Sequence, residues 1–182
     1  AIIGAVLFGM NQQQLIIFMI IVQVTSVIGA FAFGKITDKV GSKTSLVISL
    51  VLMAITVAML FFVQSLFVFY LIGASAGFAL TGVQSVSRTA VGQLTPQEKA
   101  TEFYGLFSVG SQLTNFAGPT IYGILVAGLA AVYAGRGFDA LHAEEMGLRV
   151  GVVAIIAFLL IGLGLLFTVH KWHRPEEDES QA

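Results

Sequence analysis

Gly34-Lys35-Ile36-Thr37-Asp38-Lys39-Val40-Gly41-Ser42-Lys43 is the stretch on which the reading of this chain turns. It is short, charged and bounded by glycine, and it separates two apolar runs that are each long enough to cross a bilayer. Asp38 is the only acidic residue in the first 97 positions, and Lys35, Lys39 and Lys43 crowd around it. Charge this isolated marks where an apolar chain meets water, and the lysines indicate which side of the membrane that water is on.

The composition agrees. Of 182 residues, 57% are hydrophobic and only 10% charged, with a mean hydropathy of +0.91. A soluble domain carries roughly a quarter charged residues, so the chain is expected to be an all-α integral membrane protein. Seven of the ten acids lie after residue 138, four of them within the last seven positions. There is no cysteine, which excludes disulfides and thiolate metal sites.

Working outward, residues 1–10 form an apolar stub about half as long as a span needs. With no Met and no basic segment it does not read as a signal peptide, and a start inside an apolar run suggests a fragment of a longer protein. Asn11 to Gln14 read as an uncharged polar turn. Complete spans are predicted at about 15–33, 44–63, 66–86, 103–130 and 148–169, with a charged loop at 34–43 and the longest polar connection at 131–147. Thr95-Pro96-Gln97-Glu98 has the pattern of a capping box that would open the fourth span. Residues 170–182 read as an acidic, disordered cytoplasmic tail. Within the third span, Gly73-Ala74-Ser75-Ala76-Gly77 offers two small residues four apart for close helix approach.

Lysine and arginine then fall unevenly. Lys35, Lys39, Lys43, Arg88, Lys99, Lys171 and Arg174 lie on one side and only Arg136 and Arg149 on the other, so the first side is expected to be cytoplasmic. Trp172 suits an interfacial anchor on that face.

Polar positions inside spans must face protein or a water-filled space. The fourth span places Tyr104, Ser108, Ser111, Gln112, Asn115 and Tyr122 at three- and four-residue steps, on one helix face, with Gly118-Pro119 predicting a bend. The third adds Thr81, Gln84, Ser85 and Arg88, and the first adds Gln23 and Ser26. Gln23, Ser26, Gln84, Ser85, Ser108, Ser111, Gln112 and Asn115 are therefore the candidate cavity-lining residues. The bland reading is that such groups only join helices, and that Arg88 snorkels to the surface. The second and fifth spans look lipid-facing or peripheral. His142, Glu144 and Glu145 lack a second imidazole, so no metal site is expected. Nucleotide, hydrolase and metalloprotease motifs are missing, and no pair of intramembrane carboxylates is present. Binding and conformational change are expected rather than catalysis, with no cofactor and no nucleic-acid partner; any coupling to H+ or Na+ is not visible.

Gly34-x-x-x-Asp38-Lys39-x-Gly41-x-Lys43 resembles the loop signature of the major facilitator superfamily, G-x-x-x-D-[RK]-x-G-[RK]-[RK], departing at Ser42 where a base is usual. Gly82-Val-Gln-Ser-Val-Ser-Arg88, Pro96, Glu102-Phe-Tyr-Gly105-Leu-Phe-Ser108 and Gly118-Pro119 resemble the vacuolar-effluxer-like branch, which includes autophagy-related fungal amino-acid exporters. The resemblance covers nearly the whole chain. It implies the C-terminal six-helix half of a transporter with its first helix truncated, a missing N-terminal half, and spans one, three and four of this chain against the central cavity. It also implies a gate at Asp38, whose carboxylate docks on a helix N-terminus or a cation in one conformation only. Gly34, Lys39, Gly41, Lys43 and Arg88 are the further gating or cytoplasmic-loop candidates, with substrate contact as the other reading of Arg88. The alternative for Asp38 is a solvated aspartate beside Lys39 and Lys43.

The expected function is secondary transport of a small polar solute such as an amino acid by alternating access. The alternatives are a permease for sugars or other metabolites, or a non-transporting scaffold or receptor with the same fold. The expected setting is a lipid bilayer: the inner or plasma membrane of a bacterium, or a fungal vacuole, with the C-terminus cytoplasmic.

Overall fold

The computed structural model describes residues 9–135 and 140–168, the side chains of 122, 125, 129–130, 133–135 and 140–149 excepted. Among the described residues there is no strand. Five long helices follow one another: α1 (Gln12–Val40), α2 (Ser42–Met59, prolonged by a 3-10 turn Leu60–Phe62), α3 (Leu66–Leu94), α4 (Ala100–Gly135, preceded by a 3-10 turn Gln97–Lys99) and α5 (Ala140–Thr168). Among the described residues four segments are long and apolar enough to cross a membrane: Gln12–Val40, Ser42–Phe62, Leu66–Leu94 and Val150–Thr168. α4, at 36 residues, has the length to do so and carries the polar stripe described below.

The polar turn expected at Asn11–Gln14 is the start of α1. Asn11 is extended and its side-chain oxygen accepts from the Gln14 N–H at 2.9 Å, while the Gln14 amide oxygen accepts from the Asn11 N–H at 3.0 Å. This reciprocal pair satisfies two of the four N–H groups that every helix start leaves open.

The charged stretch is not a loop. α1 continues through Gly34, Lys35, Asp38 and Lys39 and stops only at Gly41. Nothing from Lys35 to Val40 breaks a helix, because lysine is a good helix former and Thr37 bonds back to the Phe33 carbonyl at 2.7 Å. At 29 residues α1 is about 44 Å long, so its last turns outrun a ~30 Å hydrocarbon core as helix. Gly41 alone turns the chain. Its φ of 81° suits only glycine, and it ends α1 and begins α2 at one residue.

Two further boundaries differ from the sequence expectation. α3 extends to Leu94 instead of ending near Val86, and the polar connection after α4 is helical again from Ala140. The capping box expected at Thr95 does not form: the Thr95 hydroxyl donates back to the Val91 carbonyl at 2.6 Å, and the turn after Pro96 carries no side-chain cap. Residues 1–8, 136–139 and the tail 169–182, including the bulk of the stub and Trp172, lie outside the described residues.

α1 and α3 form the main packing pair. Residue numbers rise together along their seam, from the Tyr70 hydroxyl on the Gln14 carbonyl to Phe33 on Gly82, so the two helices run parallel. Glycine sets their separation. A Cβ on Gly77 would lie 2.6 Å from the Val22 carbonyl oxygen, and one on Gly29 2.6 Å from that of Phe78. Gly73 and Gly82 receive the rings of Phe18 and Phe33, and Phe18 stacks on Phe69 at 4.9 Å. In lipid, where apolar area gives no drive to associate, such close backbone approach supplies the van der Waals energy.

α2 also packs on α3, and α5 joins α2 to α4. The hydroxyls of α2 do not face lipid. Ser42, Ser45, Ser49 and Thr56 are all buried, at spacings that keep them on one face. α2 is peripheral in the sense expected, but its polar stripe is the side turned inward.

Candidate functional site

Two polar groups stand out in this framework, one on α4 and one where α1, α2 and α3 end. On α4, Tyr104, Ser108, Ser111, Gln112 and Asn115 fall within an arc of about 100°. Ser111 is half-buried; Ser108, Gln112 and Asn115 are exposed. Hydroxyls elsewhere on the helix satisfy themselves, Thr114 on the Gly110 carbonyl at 2.9 Å and Thr120 on that of Phe116 at 2.7 Å. Gln112 and Asn115 find no hydrogen-bond partner among the described residues. An unpartnered amide in hydrocarbon costs several kcal/mol, so this face is built to meet protein or water. Tyr122 continues the stripe along the backbone, with its side chain outside the described set.

α3 meets α4 near the base of that stripe. The Tyr104 hydroxyl donates to the Arg88 carbonyl at 3.3 Å and lies where a Cβ on Gly92 would be, 2.5 Å away. Beyond this point the two helices touch far less than either touches its main neighbour. Arg88 and Gln84 are exposed and Ser85 is half-buried on this part of α3.

The α1 candidates separate. Gln23 is exposed and off the α3 seam. Ser26 belongs to the seam: its hydroxyl lies 2.8 Å from the Val22 carbonyl and 3.2 Å from that of Gly77. Thr25 bonds back to Ile21 and Val22 in the same place. Ser26 is therefore engaged in joining helices, and the structure does not bring it together with the α4 stripe.

At the other group, Asp38 and Lys39 are exposed in the last turn of α1, and Lys43 sits half-buried in the first turn of α2. Gly34 is exposed, with open space where a side chain would be. Lysine suits the negative end of the α1 dipole and aspartate does not, so Asp38 stands where its own helix disfavours it. Beneath these charges lies a set the sequence did not reveal. Thr37, Ser42 and Ser45 are buried, the Thr37 hydroxyl is 2.9 Å from that of Ser45, and Ser42 donates to the Gln93 side-chain oxygen at 2.5 Å. The only linear signal was Ser42 itself, the one departure from the signature. Ser42 is 2% exposed, and its small hydroxyl fits that buried position with its hydrogen bond made.

Residues 1–128 match the family model described as vacuole effluxer Atg22 like. The chain belongs to the Atg22-like family. It is also 23% identical over 151 residues to an MFS-type transporter of Bacillus subtilis (strain 168), YxiO, itself described as uncharacterized. That alignment covers 83% of this chain and 34% of the relative, so the chain spans about a third of that protein's length. No solved structure matches it significantly. The match to the Atg22-like model and the likeness to an MFS-type transporter place the chain in the Atg22-like branch of the major facilitator superfamily, an integral-membrane family of transporters. The matched segment contains both polar groups and ends within α4.

Proposed function

We propose that this chain is one half of a secondary transporter that carries a small polar solute of the amino-acid class by alternating access. The observation that carries the reading is the pair of amides, Gln112 and Asn115, on the polar stripe of α4 with no partner among the described residues. They supply two donors and two acceptors each in fixed positions, the equipment for a zwitterion or other uncharged polar group rather than for a lipid or an ion of one sign. A second six-helix half would close over this face and complete a midplane site. The lysine-rich ends of α1 and α2 would then be cytoplasmic by the positive-inside rule.

Asp38 is the gating group in this reading. Disfavoured by its own helix end, its carboxylate gains most from an outside partner, a helix N-terminus or a cation, in one of the two states. Replacing it by asparagine slows turnover while leaving solute affinity near that of the parent. Equal turnover would reduce Asp38 to a solvated surface charge.

The direct test is solute flux in proteoliposomes containing the full-length protein, across amino acids, sugars and other polar metabolites. Gln112→Ala and Asn115→Ala should each lower flux about tenfold, the value of one well-placed hydrogen bond to a polar solute, with folded protein unchanged. Flux equal to the parent in both variants removes the site from α4. A parent protein that moves no solute, while binding a protein partner through residues 131–147 or the acidic tail, would favour a scaffold.

A further inference from the structure

A single glycine between two helices invites the description of a hinge, yet the surroundings of Gly41 are those of a clamp. Hinges absorb motion at residues whose φ and ψ are free to change. Here the Gly41 N–H donates to the Thr37 carbonyl at 2.9 Å and its carbonyl accepts from the Ser45 N–H at 3.1 Å. The Thr37 hydroxyl bridges the turn to Ser45, and Ser42 joins α2 to Gln93, one residue before the end of α3. Ser45 is fully buried, Ser42 is 2% exposed and Thr37 9%. Gln93 is exposed, so its side-chain oxygen turns inward to the serine while its other side is open to solvent. The tie thus links a buried hydroxyl to a residue that the sequence places in an unremarkable polar run, 51 positions away.

We propose that Ser42 and Gln93 are positioning residues: together with Thr37 and Ser45 they lock the signature turn onto α3. The ends of α1, α2 and α3 then move as one body, and Asp38 is carried on a rigid elbow. Its functional consequence rests on the alternating-access reading above. The elbow has to transmit a helix movement to the Asp38 contact without yielding. Position 42 thereby exchanges the surface base of the signature for a buried anchor, and Gln93 is the anchor's other end.

Hydrogen–deuterium exchange of the backbone from Gly41 to Ser45, followed at the Gly41 and Ser45 amides that bond to the Thr37 and Gly41 carbonyls, in the full-length protein in lipid, reads the lock without requiring transport. Gln93→Met preserves length and helix preference but removes the acceptor, whereas Gln93→Glu keeps one. Ser42→Ala and Gln93→Met should each speed exchange in this segment about fivefold, the loss of one net hydrogen bond. The double variant should be no faster than either single one, and Gln93→Glu should match the parent. Unchanged exchange in Ser42→Ala and Gln93→Met, or additive effects in the double variant, would overturn the lock. Turnover in the same variants is expected to fall with apparent solute affinity retained, and Gln93→Glu should rescue it. If exchange responds as described while the parent transports nothing, the lock stands and the transporter reading fails.

Discussion

The α1–α3 seam and the stripe on α4 are made of similar residues and do opposite things. Both contain glycine at helical spacing and both contain polar side chains. In the seam, Gly29 and Gly77 lie against the partner's backbone, and the polar groups are hydroxyls that bond to carbonyls within or across the helices. On α4, Gly105, Gly110 and Gly118 have open space where a side chain would be, and the polar groups include amides with no partner among the described residues. A hydroxyl can satisfy itself on the preceding turn, so it can be buried against another helix at small cost. An amide has too many donors and acceptors for that and needs something outside its own helix. The kind of polar residue, more than its presence, separates a closed face from an open one.

The largest expected effect comes from filling the closed face. Gly77→Ala places a Cβ against the Val22 carbonyl, a backbone atom that cannot rotate away, and should destabilise the chain by about 3 kcal/mol, the upper part of the usual range for overpacking. Gly110→Ala should cost nothing within this chain and can add up to about 1 kcal/mol through helix propensity. Thermal unfolding in detergent ranks the two. Similar losses at both positions would mean that the α4 face is closed as well, and the contrast would collapse.

Function supplies the next contrast. Ser26→Ala removes a seam hydroxyl and should leave flux within twofold of the parent, while the α4 amide variants lose about tenfold. A tenfold loss at Ser26 would move the solute path onto the seam. The smallest effect compares two helix starts. Asn11→Ala should cost about 1 kcal/mol because a formed capping box is lost, and Thr95→Ala less than about half of that because Thr95 caps no helix start. Unfolding midpoints of the two variants check the order.

Those helix starts show what a linear pattern can reveal. Asn11-x-x-Gln14 and Thr95-x-x-Glu98 both fit a cap, and the second is reinforced by proline. Pro96 takes an extended conformation instead (φ −57°, ψ 138°), and Thr95 is drawn back onto the end of α3. The choice depends on which way the preceding helix ends, and that is a property of three dimensions. Hydropathy located the apolar runs, and the small residues at Gly73 and Gly77 disclosed a packing face, because each is a local demand of lipid on sequence. The charged stretch misled for a related reason. Hydropathy reports where a chain leaves hydrocarbon, not where a helix stops, and α1 continues as helix after it has become polar. Ser26 was indistinguishable from Gln23 by position, since only the approach of Gly77 decides that one is engaged. The pairing of Ser42 with Gln93 had no linear signature at all.

The one-residue turn at Gly41 also bears on how this face would meet a protease. Lys35, Lys39 and Lys43 give it the densest run of tryptic sites in the chain, and nicking ordinarily concentrates at exposed loop tips. Here there is no loop tip to unravel: cleavage after Lys39 or Lys43 requires a helix end to melt first. Lys99, in the irregular connection between α3 and α4, is the easier cut despite having no lysine beside it. The lysine-rich turn is thus better protected than the connection at Lys99, and limited digestion at these sites would separate α1–α3 from α4–α5 before it opened the turn that carries Asp38.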